Sequence, residues 1–139
     1  MRTLLALFIV VAVTGCMTKP APPPEIQAAA VKTFGTTENV RFLELYKTYS
    51  ESLSIDFFGN TSRYYEVAGD MVSKDGSPVN LVVWGNSSAF TAKQIYGGLR
   101  VSPRPMPYLS LLFIGDARDA ARIKGPVEDT GARFYFLNR

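Results

Sequence analysis

The chain contains a single cysteine, Cys16, so no intrachain disulfide, Cys-x-x-Cys redox pair or thiolate metal cluster can staple it. Whatever it folds into must be held together by burial. Hydrophobic residues make up 47% of the sequence and aromatics 12%, enough to fill a core without covalent help. A length of 139 residues suits one domain better than two. The formal net charge of +3 is mild and its charges are interspersed, which argues against a nucleic-acid surface.

Cys16 also closes the most distinctive segment. Arg2 supplies a positive start, residues 4–13 an apolar run, and Val13-Thr14-Gly15-Cys16 a small-residue site. The apolar run falls short of the ~20 residues that span a bilayer and has the length of a secretory signal. The Val-Thr-Gly-Cys ending resembles the lipobox of bacterial lipoproteins. That resemblance implies removal of residues 1–15, acylation of Cys16 and anchorage of the remaining chain by lipid. Met17, not an aspartate, follows the cysteine. By resemblance to the sorting rule of enteric lipoproteins, this implies the outer membrane, with the domain facing the periplasm or the cell surface. No later stretch has the length and apolarity of a membrane helix, so lipid is the only membrane attachment expected.

The rest of the chain reads as a tether followed by a globule. Residues 17–24, Met-Thr-Lys-Pro-Ala-Pro-Pro-Pro, predict an extended polyproline II spacer. A short helical piece over 25–32 follows and breaks over 33–37. Residues 16–38 are thus assigned to the tether and 39–139 to a globular domain expected to fold without it. Asn39 reads as the N-cap of a helix over 40–53, with Phe42, Leu43, Tyr46, Tyr49 and Leu53 on one stripe. Residues 55–58 read as a short strand. Residues 63–72 and 79–84, joined by turn chemistry with an Asp75-Gly76 step, predict a β-hairpin. Residues 85–88 cap a helix over 89–96 that Gly97-Gly98 stops. Residues 100–107 read as an extended proline loop and 108–114 as a strand covered on both faces. Gly115-Asp116 caps a helix over 117–124 interrupted by Gly125-Pro126, and 132–137 form the last strand. The predicted fold class is α+β: a single small domain whose mixed, mainly antiparallel sheet has helices packed mostly on one face.

The chemistry is defined by absences. The chain has no histidine, which removes the usual general base, proton shuttle and commonest metal ligand. The Gly-x-Ser-x-Gly, Ser-x-x-Lys and Gly-x-x-x-x-Gly-Lys patterns do not occur. Glu66 and Asp70 share an expected strand face, and Asp116 and Asp119 begin a helix whose dipole suits them. A solvated face and a helix cap account for these carboxylates, and a two-carboxylate glycosidase would need a cleft that this length leaves little room for. No catalytic residue, metal ligand or cofactor is therefore expected. The candidate partner-binding residues are Arg100 and Arg104 in a stiff cationic arm, Tyr108 beside it, and Trp84 near the end of the predicted hairpin. The arm also fits a connector whose prolines protect a sheet edge, and Trp84 also fits burial between strand and helix.

These features point to a non-catalytic outer-membrane lipoprotein, an accessory or assembly component of an envelope complex. The architecture resembles that of lipoproteins in secretion or conjugation channels. Its expected partners are the membrane, through the lipid on Cys16, and an envelope protein, with no nucleic acid. Two alternatives stand beside it: an inhibitor-type lipoprotein conferring toxin immunity or phage or plasmid exclusion, and a small periplasmic ligand-binding protein or enzyme.

Overall fold

The computed structural model describes residues 20–48 and 62–139. Its elements run α1 (Pro24–Phe34), β1 (Val40–Leu45), α2 (Ser62–Met71), β2 (Val79–Gly85), α3 (Ser88–Val101), β3 (Leu109–Gly115), α4 (Ala117–Glu128) and β4 (Arg133–Asn138). Tyr49 and Leu53 of the predicted stripe, and the strand predicted over 55–58, lie outside the described residues.

The four strands form one sheet in the order β1-β2-β3-β4, and every neighbouring pair is parallel. The protein is therefore α/β, which corrects the expectation of an α+β fold with a mainly antiparallel sheet. The middle strands carry the reason, because they are apolar on both faces, as buried parallel strands are. Leu81, Val83, Leu111 and Phe113 enter the larger core, while Val82, Trp84, Leu112 and Ile114 enter the smaller one beneath α1. Parallel neighbours require a crossover, and each connection here contains a helix. The strand order advances in one direction, so crossovers of one hand bring α2, α3 and α4 back on the same face. Val67 and Met71 of α2, Ile95 and Leu99 of α3, and Ile123 and Val127 of α4 all join the larger core.

α1 covers the opposite face with Ile26, Ala29 and Ala30, the two alanines permitting close approach. Pro24 occupies its first position, where no amide donor is required, and Gly35 ends it in the left-handed conformation (φ 77°), donating to Val31 O. Residues 24–34, assigned by composition to the tether, are thus a packed layer of the described structure.

Three local readings change with the fold. The predicted hairpin is a helix, a turn and a strand. Residues 63–72 are rich in β-type side chains, but the buried positions are Val67, Ala68 and Met71, at helical spacing. Asp75 organises the turn that follows, accepting from the Ser73 and Ser77 hydroxyls at 3.1 and 2.6 Å. The helix predicted from residue 40 is instead strand β1 as far as Leu45. Phe42 and Leu43 face opposite sides of the sheet, Phe42 edge-on to Trp84 at 6.4 Å and Leu43 in the larger core. Finally, α3 continues through Gly97-Gly98 instead of stopping there. The glycines make room for α2: a Cβ on Gly98 would lie 2.7 Å from Val67 Cγ1, and one on Gly97 would overlap the Tyr64 ring. α4 likewise continues through Gly125-Pro126 to Glu128.

Candidate functional site

The four residues singled out for partner binding fall in separate places. Arg100 lies in the last turn of α3, and Arg104 follows in the loop leading to β3; both are exposed. Arg104 Nη2 donates to Leu99 O at 3.4 Å, where a cation suits the carbonyl end of the helix. The loop is anchored rather than free. Met106 is fully buried and its N–H donates to Thr130 O at 2.7 Å, and the Ser102 hydroxyl donates to Gly98 O at 2.7 Å. Tyr108 packs half-buried against the larger core. Trp84 is only 4% exposed, held between the sheet and α1, and is not part of any surface shared with the arginines.

The carboxylates serve local structure. Glu66 Oε2 pairs with Arg63 Nη1 at 3.2 Å on α2. Arg41 Nη1 donates to the main-chain oxygens of Asp70 and Val72, at 2.7 and 2.8 Å, capping the end of α2. Asp116 is the N-cap residue of α4, and Asp119 in its first turn is buried, 3.6 Å from Arg122 Nη1. Asp75 is held well below the ordinary carboxylate range, from 3.8 to about 2, by hydrogen bonds from Ser77 and then Ser73. Among the described residues, no three acidic, histidine or cysteine side chains gather to hold a metal ion.

Open parallel sheets bind ligands at the carboxyl ends of their strands. A cavity of about 280 Å³ occupies that position here, lined by Gly85, Asn86, Ser88, Gly115, Asp116 and Arg139. Much of its hydrogen-bonding capacity is already engaged. Ser88 Oγ accepts from Asp116 N–H at 2.8 Å, and nearby Ser87 Oγ accepts from Phe90 N–H at 3.3 Å. The Asn86 side chain accepts from Lys47 N–H at 2.7 Å and donates to Lys47 O at 3.1 Å. The glycines answer to packing: a Cβ on Gly85 would overlap Leu45 O, and one on Gly115 would lie 2.6 Å from Ser88 Oγ. The cavity went unanticipated because the expected sheet was antiparallel. Its signal was the alternation of strand and helix from residue 79 onward.

The helices assemble a more distinctive surface. Lys93, Tyr96 and Arg100 are exposed along α3, and Arg118, Arg122 and Lys124 along α4. α3 has no acidic residue; on α4 Asp119 is buried and Glu128, at its last position, is exposed four residues after Lys124. Ala89, Ala92 and Ile123 line a groove of about 470 Å³ between the two helices, together with Lys93, Tyr96, Asp119 and Arg122. Asp119 partly offsets Arg122, 3.6 Å away, and Lys93 leaves the rim with an excess of positive charge over an apolar floor, which suits an amphipathic, acidic partner surface. Of this face the sequence reading found Arg100 alone; the three- and four-residue steps from Lys93 to Tyr96 to Arg100 were the available signal. No helix among the described residues is long and apolar enough to cross a membrane. Comparisons with protein families, with curated proteins and with solved structures find no match to this chain.

Proposed function

We propose that the chain is a lipid-anchored outer-membrane protein that works by binding, without catalysis, as an accessory or assembly component of an envelope complex. The observation that carries the binding reading is the groove between α3 and α4, where Lys93, Tyr96 and Arg122 surround Ala89, Ala92 and Ile123 with Asp119 as the one carboxylate, and Arg100 continues the exposed cationic side of α3. Charge of one sign steers encounter and selects partners, and Tyr and Arg are the side chains that most often anchor interfaces. The Val13-Thr14-Gly15-Cys16 ending supports the address. Residues 17–23, if fully extended, reach about 20 Å, so the domain acts close to the bilayer.

Affinity purification from cross-linked envelopes tests the reading. Lys93→Glu combined with Arg100→Glu is expected to reduce recovery of stoichiometric partners by about tenfold with the melting temperature unchanged. Glu66→Gln combined with Asp70→Asn is expected to leave the phenotype intact. Loss of phenotype in that carboxylate pair, with the fold preserved and the α3 variant fully active, would put catalysis or ligand binding in place of partner binding. Incorporation of labelled palmitate into the wild type but not into Cys16→Ser tests the anchor separately.

A further inference from the structure

The two edges of the sheet are finished differently. β1, Val-Arg-Phe-Leu-Glu-Leu, carries Arg41 and Glu44, and the proline-rich residues 20–23 line the same groove of about 670 Å³ as Val40, Arg41, Phe42 and Glu44. Charge and proline are what keep a strand edge from pairing. β4, Arg-Phe-Tyr-Phe-Leu-Asn, has neither from Phe134 to Leu137. Tyr135, Phe136 and Leu137 are 37%, 38% and 37% exposed, and among the described residues no strand pairs with the outer side of β4.

The alternation of the main chain tells which groups are open. Arg139 N–H donates to Gly115 O at 3.1 Å, so the odd-numbered residues of β4 direct their N–H and C=O toward β3. Phe134, Phe136 and Asn138 therefore direct theirs outward.

We propose that β4 pairs antiparallel with β4 of a second copy, about a twofold axis through Tyr135, to join the two sheets into one. In this register Phe134 and Phe136 exchange main-chain hydrogen bonds with Phe136 and Phe134 of the second copy, so outward groups meet outward groups. Tyr135 faces its counterpart, and Arg133 faces Leu137. A twofold through Phe136 would instead set Arg133 against Arg139, which like charges disfavour. The interface is isologous and self-limiting, and it closes the unguarded edge. Phe134 and Phe136 lie on the face of the larger core, where Phe136 stacks on Phe113 at 6.2 Å. Tyr135 lies on the α1 face against Phe34.

Two measurements test the pairing. In a Cys16→Ser background, Tyr135→Cys supplies one thiol per chain. Directly opposite residues of a non-hydrogen-bonded antiparallel pair have Cα atoms about 4.5 Å apart, within disulfide range. Mild oxidation is expected to give a covalent dimer with Tyr135→Cys and not with Tyr65→Cys, an exposed control on α2. In sedimentation, Leu137→Lys sets a cation against Arg133 in both halves and is expected to weaken the dimer at least about tenfold. Leu137→Glu, by the same register, is expected to keep or tighten it. A wild type that stays monomeric at its highest soluble concentration would overturn the proposal. So would a dimer that survives Leu137→Lys and cross-links no better at position 135 than at position 65, since it would then use another surface.

Discussion

A chain begun at Thr37, and so lacking α1, is expected to lose its fold. Val82, Trp84, Leu112 and Ile114 lie beneath this helix, and none is more than 4% exposed. Burying one such side chain contributes about 1.5–3 kcal/mol. Uncovering four withdraws on the order of 6–12 kcal/mol, an upper bound because the unfolded chain is already partly collapsed. A domain of this size has a net stability of about 5–15 kcal/mol, so the loss is comparable with the whole. The milder change Ile26→Ala, at a position only 2% exposed, is expected to cost about 2–4 kcal/mol and leave a folded but less stable protein. The chain has one tryptophan, Trp84, and it sits under this helix, so its fluorescence reports on this layer. The full chain should show blue-shifted emission shielded from acrylamide, Ile26→Ala the same emission with a melting point lowered by about 10 °C. The shortened chain should show red-shifted emission and no cooperative melt. A shortened chain that melts within a few degrees of the full one, with Trp84 still shielded, would refute the reasoning. It would favour instead the boundary at residue 39 that composition suggests.

Further outcomes follow from particular contacts. Gly98→Ala should cost about 1–3 kcal/mol by thermal melting, with part of the loss recovered when Val67→Ala is added, because the new methyl meets Val67 Cγ1; no recovery would show that the clash is not the cause. Leu111→Asp should abolish folding, since an unpaired buried carboxylate costs several kcal/mol, and a well-folded variant would show that β3 is not enclosed. Asp75 has its carboxyl depressed from 3.8 to about 2 in the folded chain, so its contribution to stability is complete above the ordinary value and disappears as pH falls through about 2. A carboxyl titration by NMR should give Asp75 a midpoint near 2, moving up in Ser77→Ala; a midpoint near 4 in the wild type would remove the Asp75 turn from the account.

Much of the second half of the chain was legible in its sequence. The apolar runs that became β2, β3 and β4 were bounded by turn residues, and Asp116 announced the helix that follows it. The sense of the strands was lost mainly through an error of period at residues 63–72. Tyr64, Tyr65, Val67 and Val72 carry strand propensity and Gly69 weakens a helix, so residues 63–72 read as half of a hairpin. Read as a helix, the same residues leave helix and strand alternating from Ser62 to Asn138, which implies a parallel sheet. What decides the matter lies far along the chain, where Gly97 and Gly98 open the space that Tyr64 and Val67 fill. β1 failed for a related reason: a six-residue strand with Phe42 and Leu43 in two different cores looks locally like one stripe of a helix. Of the candidate surface, Arg100 was visible as a cation beside prolines. Its neighbours Lys93 and Arg122 belong to it only because α3 and α4 lie side by side, which no local pattern states.

The two proposed binding surfaces lie on different elements of the fold. Lys93, Tyr96 and Arg100 lie on the solvent side of α3, which crosses over from β2 to β3, while the proposed pairing uses the outer edge of β4, so joining two copies leaves these three residues of each copy open. A paired protein then presents two equivalent faces to one partner assembly, and the second contact forms at high effective concentration. Leu137→Lys is accordingly expected to weaken retention on a densely immobilised partner while leaving the affinity for a single soluble partner unchanged. Lys93→Glu with Arg100→Glu should weaken both. Equal weakening of both measurements by Leu137→Lys would mean that β4 belongs to the partner interface itself, and the division of labour between edge and helices would be wrong.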